Sequence, residues 1–317
     1  MRITQVMLSR IFGGVERAFV DTCLALASEG HEVQAVCHAD FKAAKDLCEI
    51  KNITLLQIDL TGQWDFMGKR KITRAISSFK PDVIHSHASK MMRVAGKMSR
   101  KLKIPHVGTL HNDYKEKYAK QVDRLITITE KHFQIMTDEQ AVPKERIVVI
   151  PNFSRLKIEE KKNHEWPLIP TLVSLGRLTY EKGFDDLIKA LGILKKKDLS
   201  FKLLLGGEGP EMDKLLALRL ENNLEEEVEM IGWVDKPSEF LAKGDLFVNP
   251  SMYESFGIVY LEAMAVGLPI VATKTRGAEE IFTEETAFLA ETTNPLSLAE
   301  SIEEALTKQD KRESLMK

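Results

Sequence analysis

Two glutamates in the second half of the sequence have a spacing that would let both bind one extended ligand. The segment Glu-Ser-Phe-Gly-Ile-Val-Tyr-Leu-Glu runs from Glu254 to Glu262, after a strand-like run and into a predicted short helix. At the helical rise per residue, the two carboxylates would lie roughly 12 Å apart. Helix N-termini bind phosphate, and carboxylates accept hydrogen bonds from hydroxyls. The order of these groups matches sugar hydroxyls, a diphosphate and ribose hydroxyls.

The alternative is an ordinary helix with one glutamate at its start and another on its exposed face. The predicted helix is mostly apolar, with Ile258, Val259, Leu261 and Met264 close to Glu262. A glutamate among such residues needs a polar partner or a cleft.

Two cations follow the first strand-like run after residue 170. Arg177 and Lys182 lie in Gly-Arg-Leu-Thr-Tyr-Glu-Lys-Gly, just before a predicted helix. Both could bind one diphosphate, at roughly 1.5–3 kcal/mol for each charge-assisted hydrogen bond. They would also offset the charge on a departing nucleoside diphosphate. In the alternative, they are solvated cations in a loop.

Glycine-rich turns follow other strand-like runs. Leu205-Gly-Gly-Glu-Gly-Pro is such a turn, although glycine turns after strands are common. Phe12-Gly-Gly-Val-Glu-Arg joins the first strand to its helix, where paired glycines admit a ligand close to the backbone. Its spacing is not G-x-G-x-x-G, which argues against a dinucleotide-dependent dehydrogenase.

Several histidines lie near predicted strand ends. The two-residue spacing of His85 and His87 puts both on one face of a strand, which would permit a metal site. No cysteine and no carboxylate trio accompanies them. We therefore expect these residues and the segment from His106 to His111 to line a cleft.

Strand-like and helical runs alternate along the whole chain, which is typical of an α/β fold with covered parallel sheets. The 317 residues are enough for two domains. We predict domains of residues 1–155 and 156–317, joined by a polar linker at 157–170, for which a surface loop is the alternative. The predicted strands are residues 3–8, 32–37, 53–58, 83–86, 106–110, 124–128 and 147–150, then 172–175, 202–205, 228–231, 246–248, 270–272 and 287–289.

The Glu254–Glu262 segment, its continuation Ala-Met-Ala-Val-Gly-Leu-Pro, and Gly-Arg-Leu followed by Glu-Lys-Gly closely resemble retaining glycosyltransferases of family 4. The resemblance implies the GT-B fold, with two Rossmann-like doubly wound α/β domains that face a cleft. It also implies transfer of a sugar from a nucleoside diphosphate, UDP being the commoner one, to a hydroxyl with retained anomeric configuration. The N-terminal domain would bind the acceptor, and the C-terminal domain would bind the donor.

The resemblance also assigns roles to residues. Glu254 would hold the sugar hydroxyls, Glu262 the ribose, and His111 would lie beside the donor sugar. Trp233 and Val234 would flank the base, although Trp233 could instead be a core residue. The remaining assignments are to the diphosphate (Arg177, Lys182, Ser255, Phe256, Gly257 and Ile258, with Gly13 and Gly14 from the first domain), the base (Gly207 and Gly209) and the acceptor (His85 and His87).

The chain departs from the family pattern in two places. Phe153 replaces the usual glycine after Val-Ile-Pro-Asn. The sequence also ends at Lys317 in a charged helical stretch, whereas family members continue into a helix that returns to the first domain. We expect either a short enzyme or a truncated chain.

Charge is distributed unevenly. Residues 1–155 contain 25 basic and 17 acidic side chains, and the remainder contains 20 and 30, so the halves carry +8 and −10. A basic first half fits an anionic acceptor, such as lipopolysaccharide or a lipid-linked glycan, or a membrane surface. The basic segments 64–71 and 90–101 indicate attachment to an anionic bilayer, with a solvated helix as the alternative. Nothing predicts a nucleic-acid partner.

The composition is that of a soluble globular protein, with 44% hydrophobic and 29% charged residues. We find no signal peptide and no apolar run of 18 residues. Cys23, Cys37 and Cys48 are predicted to be buried free thiols in a reducing compartment. These features favour a cytoplasmic protein, peripheral on the inner face of the membrane.

The sequence contains no D-x-D triplet, the motif with which the other main glycosyltransferase fold holds a divalent metal. We therefore expect metal-independent transfer without a cofactor. Two competing hypotheses are a sugar-nucleotide epimerase, which needs an acid/base pair at the sugar, and a non-catalytic nucleotide-sugar-binding module.

Overall fold

The computed structural model describes residues 1–9, 13–59, 66–111, 115–156 and 166–315. The chain divides into two compact units, Met1–Arg155 and Leu156–Lys317. Phe12 of the Gly-Gly motif, Trp64 of the first basic segment and residues 157–165 of the predicted linker lie outside the described residues.

The first unit alternates strands and helices. Its strands are β1 (Arg2–Met7), β2 (Glu32–His38), β3 (Ile53–Ile58), β4 (Val83–His87), β5 (His106–Leu110), β6 (Arg124–Thr127) and β7 (Ile147–Val149). Its helices are α1 (Gly14–Ser28), α2 (Lys45–Cys48), α3 (Phe66–Phe79), α4 (Ser89–Leu102), α5 (Glu116–Ala119) and α6 (Glu130–Gln134), with a π turn at Ile135–Glu139 and 3-10 turns at Lys42–Ala44 and Lys144–Arg146.

These strands form one sheet in the order β3-β2-β1-β4-β5-β6-β7, and each pairing is parallel. The order reverses between β1 and β4. In such sheets, ligands bind beyond the carboxyl ends of the strands at this switch point. Gly13 and Gly14 follow β1, and His87 ends β4.

Helix α1 shows how the apolar spacing sets the packing. Phe19, Val20, Cys23 and Ala27 recur every three or four residues and are buried against the sheet. Gly30, at φ +82°, follows the helix C-terminus in the left-handed conformation that suits glycine.

The second unit repeats the arrangement with six strands. These are β8 (Thr171–Leu175), β9 (Lys202–Gly206), β10 (Val228–Gly232), β11 (Leu246–Asn249), β12 (Ile270–Thr273) and β13 (Phe288–Ala290). The helices are α7 (Phe184–Lys195), α8 (Met212–Glu221), α9 (Pro237–Leu241), α10 (Ile258–Val266), α11 (Arg276–Ile281), α12 (Pro295–Thr307) and α13 (Gln309–Leu315), with a 3-10 turn at Tyr180–Lys182.

The second sheet has the order β10-β9-β8-β11-β12-β13, again with parallel pairings. Its order reverses between β8 and β11. The predicted cations Arg177 and Lys182 follow β8, and Glu254 follows β11. The two cations and the carboxylate therefore lie on either side of the switch point. The predicted doubly wound α/β architecture is confirmed in each unit.

Apolar residues of both strands and helices form the core of the second unit. Leu187 and Leu191 of α7 pack with Leu172 and Leu203 of the sheet and with Ile302 of α12. Asn294 caps α12, because its side chain accepts a hydrogen bond from the N–H of Ser297.

A buried arginine ties the last helix to this unit. The guanidinium of Arg312 donates to the carbonyls of Ala305 and Leu306 at the end of α12 and lies 3.8 Å from the ring centre of Trp166. The cation therefore satisfies carbonyls that the helix end leaves unpaired and stacks on the indole.

The prediction of buried free thiols is confirmed for two of the three cysteines. Cys23 and Cys37 are buried and free, whereas Cys48 is exposed. The prediction for Cys48 was wrong because the short α2 directs Leu47, its neighbour, into the core. Among the described residues, no helix is long and apolar enough to cross a bilayer.

Candidate functional site

The loops after β8 and β11 contact each other across the switch point of the second sheet. The backbone N–H of Met252 donates to the carbonyl of Glu181 at 3.0 Å. Gly183 has φ +64°, and a Cβ there would lie 2.2 Å from the carbonyl oxygen of Pro250. The glycine of Glu-Lys-Gly therefore lets the two loops meet, because no side chain fits between them.

This contact brings Lys182 and Glu254 together. Lys182 Nζ lies 2.6 Å from Glu254 Oε2, and the side chains are only 21% and 16% exposed. The cation predicted for the phosphate and the carboxylate predicted for the sugar therefore form an ion pair in the free protein. Sequence reasoning missed this pair, because 72 residues separate its members and only the strand order makes them neighbours.

Arg177 lies on the same loop as Lys182, and its side chain is exposed. The loop is held to its neighbour by two hydrogen bonds, from the N–H of Leu178 to the carbonyl of Glu208 and from the N–H of Glu211 to the carbonyl of Leu178. The two predicted cations thus share a loop that the turn after β9 supports.

The helix after Glu254 begins at Ile258, later than the sequence indicates. Of the eight residue-to-residue steps from Glu254 to Glu262, only the last four, from Ile258, have helical rise, so the estimate of 12 Å does not apply. Gly257 precedes the helix at φ +85° and gives it no side-chain cap. The N–H groups of Ile258 and Val259 are therefore available to an anion, whereas that of Tyr260 donates to the carbonyl of Gly257 at 3.0 Å.

Apolar side chains are not exposed at this helix start. Phe256 and Ile258 are only 5% and 7% exposed. Ser255 Oγ donates to Tyr253 Oη at 3.4 Å. A ligand at this helix start would therefore meet N–H groups and the serine hydroxyl.

Glu262 is buried, with 6% of its surface exposed, and lies in the second turn of α10. Met264 on the same helix is 47% exposed. The alternative that places Glu262 on the exposed face of an ordinary helix was therefore wrong. Glu262 has a polar interaction within the protein. A glutamate among apolar residues needs such a partner.

The glycines after β9 are required by the protein's own backbone. Gly207 has φ +138°, and a Cβ there would lie 1.8 Å from the carbonyl oxygen of Gly176. A Cβ on Gly209 would lie 2.3 Å from the carbonyl oxygen of Leu178. These residues pack the turn after β9 onto the loop that holds Arg177 and Lys182.

Trp233 follows β10 and is 36% exposed, so the core alternative for this residue was wrong. Its indole N–H donates to Asp235 at 2.9 Å. Together with Val234 it borders an open pocket of about 180 Å³, which is also lined by Ile231, Lys236, Glu239, Phe240 and Lys243. The predicted base-binding segment thus borders a pocket next to the glycine turn.

The Gly-Gly segment of the first unit leaves the start of α1 uncapped. Gly13 is the N-cap residue, in extended conformation and without a side-chain hydrogen bond. A Cβ on Gly14 would meet no atom of the described residues within 4 Å. Packing against the described residues therefore does not require glycine at position 14.

Three histidines cluster at the carboxyl ends of β4 and β5. The rings of His85 and His87 are 4.4 Å apart, so the predicted common face is confirmed. His87 Nδ1 lies 3.3 Å from His111 Nε2, and His87 Nε2 lies 3.0 Å from Gln5 Oε1. His85 Nε2 lies 2.7 Å from Thr109 Oγ1.

Burial keeps this cluster neutral. Desolvation, with smaller contributions from neighbouring histidines, lowers the pKa of His85 to about 3 and that of His111 to about 4. Burial also lowers the pKa of His87 well below its usual value. At neutral pH these rings are therefore uncharged hydrogen-bonding groups.

His106 has a structural environment instead. It begins β5, at the opposite end of that strand, and hydrogen-bonds to Ser86 Oγ and to the carbonyl of Gln121, both at 2.8 Å. Within the described parts of the chain, no group of three or more histidines, cysteines or carboxylates could hold a metal ion.

Comparison with known proteins identifies the family. A model of the family "Glycosyl transferases group 1" matches residues 157–317, and one of "Glycosyltransferase Family 4" matches residues 12–156. The lipopolysaccharide core biosynthesis glycosyltransferase LpsE of Rhizobium meliloti is 30% identical over 281 residues, covering 84% of this chain and 77% of LpsE. LpsD of the same organism is 29% identical over 300 residues, covering 92% of this chain and 84% of LpsD.

Solved structures share the fold. The crystal structure of Anabaena Alr3699/HepE with UDP and glucose has a TM-score of 0.84 at 20% identity, covering 100% of this chain and 92% of that one. WaaG, a glycosyltransferase involved in lipopolysaccharide biosynthesis, has a TM-score of 0.74 at 19% identity, covering 100% and 93%. Two Rossmann-like units with these neighbours define the GT-B class. The chain belongs to the glycosyl transferases group 1 family and is a glycosyltransferase.

Replacement of Gly183 by alanine should separate the two loops. Its cost combines about 1–2 kcal/mol for the left-handed backbone with about 1–3 kcal/mol for the clash with Pro250. Gly232→Ala is the matched control, because Gly232 has φ +76° but a Cβ there would meet no atom of the described part of the chain within 4 Å. Urea unfolding should show Gly183→Ala to be the more destabilised variant, and equal losses would contradict the close-contact argument.

Proposed function

We propose that this glycosyltransferase moves a sugar from UDP to a hydroxyl of a bacterial lipopolysaccharide or lipid-linked saccharide, with retained configuration and without a metal. The observation that carries the proposal is the Lys182–Glu254 pair at the switch point, beside the uncapped start of α10. LpsD and LpsE, which act in lipopolysaccharide core biosynthesis, and HepE, crystallised with UDP, support the acceptor class and the donor base.

The second unit would bind the diphosphate with two kinds of positive group. Lys182 and Arg177 supply full charges, and the N–H groups at the start of α10 supply the partial charge of the helix dipole. Ser255 and Gly257 lie at that helix start. In the first unit, the start of α1 at Gly13 and Gly14 has no side-chain cap, which would also suit a phosphate group. Glu262, buried in α10, would accept hydrogen bonds from the ribose.

Donor binding would change the partner of Lys182. In the free protein, Glu254 balances its charge at 2.6 Å. A diphosphate brings greater negative charge and competes for the ammonium group. Glu254 would then be free to accept hydrogen bonds from sugar hydroxyls while still held close by its loop. The ion pair therefore keeps the carboxylate ordered before the sugar arrives.

The reaction would proceed on one face of the sugar. The bond between C1 and the phosphate oxygen breaks as the bond from C1 to the acceptor oxygen forms. The acceptor proton passes to an oxygen of the departing phosphate. Arg177, Lys182 and the α10 N–H groups stabilise the charge that builds on the nucleoside diphosphate. The protein then needs no general base of its own and no divalent cation.

The first unit would bind the acceptor. Its charge of +8 favours an anionic glycan. His85 is half-buried and has one ring nitrogen hydrogen-bonded to Thr109, which leaves the other for an acceptor hydroxyl. Trp233 and Val234, with Gly207 and Gly209, would accommodate the base in the second unit.

A panel of nucleotide sugars tests this function. Melting temperatures and sugar transfer to lipopolysaccharide fragments would be measured in excess EDTA. A UDP-sugar at 100 times its Kd should stabilise the protein by about 2.7 kcal/mol, and transfer should persist in EDTA with retained configuration at C1. Isomer formation without acceptor would indicate an epimerase, and binding without turnover a binding module. Activity restored only by Mn²⁺ would overturn metal independence.

Substitution of the two glutamates should separate catalysis from donor binding. Loss of a charged hydrogen-bond partner in Glu254→Gln should lower kcat about 10- to 100-fold, because the sugar hydroxyls are held most tightly in the transition state. Glu262→Ala should mainly raise the donor KM, by about tenfold. Steady-state kinetics measures both, with the exposed Glu279→Gln as control. Small, equal effects would contradict the assignments.

We also propose electrostatic attachment to an anionic membrane. Lys90, Arg93, Lys97 and Arg100 of α4 are exposed, whereas the methionine face of this helix is buried. Its apolar face is therefore used by the core, and only the charge remains for lipid. Flotation should show binding to vesicles that contain anionic lipid, loss of binding in Arg93→Glu/Lys97→Glu, and none to neutral vesicles. Equal flotation with neutral vesicles would end this proposal.

A further inference from the structure

A chain of three hydrogen-bonding side chains crosses the switch point of the first sheet. Gln5 lies on β1, His87 ends β4, and His111 follows β5. Gln5 Oε1 lies 3.0 Å from His87 Nε2, and His87 Nδ1 lies 3.3 Å from His111 Nε2. All three side chains are buried, at 0%, 1% and 3% exposure.

The proton positions follow from the chemistry of these groups. Gln5 presents its amide oxygen to His87, and the buried Gln5 Nε2 has no hydrogen-bond partner among the described residues. Because an amide oxygen only accepts, the Nε2–H of His87 donates to Gln5 in this orientation. Neutral His87 then has a bare Nδ1, which accepts a hydrogen bond from the Nε2–H of His111. Neutral His111 is consequently left with a bare Nδ1. Among the described residues, this buried atom has no hydrogen-bond partner.

The surroundings hold this arrangement in place. The ring of Phe19 packs edge-on against His87 at 5.6 Å, and the rings of His87 and His111 are stacked at 5.5 Å. Burial disfavours the imidazolium form of both histidines. Protonation of both rings would break the chain, because it would place two N–H donors against each other.

We propose that Gln5 and His87 are positioning residues that hold His111 in the Nε2-protonated tautomer, so that its bare Nδ1 accepts a hydrogen bond from a hydroxyl of the bound sugar. This inference rests on the proposed function, because a sugar substrate would supply that hydroxyl. An unpaired buried acceptor is costly in the free protein, and a sugar hydroxyl would satisfy it. His87 uses both ring nitrogens within the protein, so it would act through His111 and not on the acceptor directly.

Two substitutions at His87 form a matched pair. Asparagine places an amide oxygen close to the position of Nδ1, which can still accept from His111, whereas leucine offers no acceptor. Nitrogen-15 NMR of labelled histidines in the free protein reads the tautomer of His111. We expect Nε2-protonated His111 in the wild type and in His87→Asn, and a tautomer mixture in His87→Leu.

We expect the catalytic efficiencies of the variants to rank in the same way as their effects on the His111 tautomer. Loss of a neutral hydrogen bond is worth up to about tenfold, so kcat/KM for the UDP-sugar should fall about three- to tenfold in His87→Leu and be largely kept in His87→Asn. Gln5→Leu removes the other end of the chain and should act like His87→Leu. It serves as the second variant if His87→Leu does not fold.

The two readouts separate this inference from the proposed function. The NMR measurement needs no donor, so it judges the tautomer even if no nucleotide sugar is turned over. A wild-type His111 protonated at Nδ1, or already a tautomer mixture, would overturn the inference. So would a folded His87→Leu or Gln5→Leu variant that changes the tautomer but keeps full kcat/KM.

Discussion

The close approach of two backbone loops at Gly183 underlies the arrangement of the second unit. The loop after β8 can reach the loop after β11 only because position 183 has no side chain. This contact places an ammonium group 2.6 Å from a carboxylate at the carboxyl ends of two adjacent parallel strands. Each charge is largely shielded from water and is balanced by the other, so both are kept ordered at the edge of the sheet where an anionic ligand would bind.

The two units use the same topological position with different electrostatics. In the second unit, the switch point holds charged groups and an uncapped helix start, which suit a diphosphate. In the first unit, the switch point holds Gln5, His87 and His111, which are buried and uncharged. Burial keeps the clustered histidines of the first unit neutral, because desolvation disfavours the imidazolium form. Uncharged hydrogen-bonding side chains suit the hydroxyl groups of a sugar. This agrees with the proposal that the charged groups of the second unit bind the diphosphate.

Much of the fold could be predicted, because parallel strands buried on both faces are continuous apolar runs with helices between them. The predicted strands differ from those observed by at most one residue at each end. Errors arose where a local pattern had two interpretations. Cys48 and Trp233 are exposed because their neighbours Leu47 and Val234 turn inward, and α10 starts late because Gly257 is left-handed. The residue roles assigned by family resemblance stay predictions.

The sequence by itself determined the elements, the glycine positions, the family and the residue types available for chemistry. These depend on short-range periodicity and on segments of about ten residues. The tertiary structure decided which of those residues are partners. Lys182 meets Glu254, and His87 meets both Gln5 and His111, across 72, 82 and 24 residues. Strand order brings these side chains together, and strand order depends on how whole apolar faces pack, which local spacing does not encode.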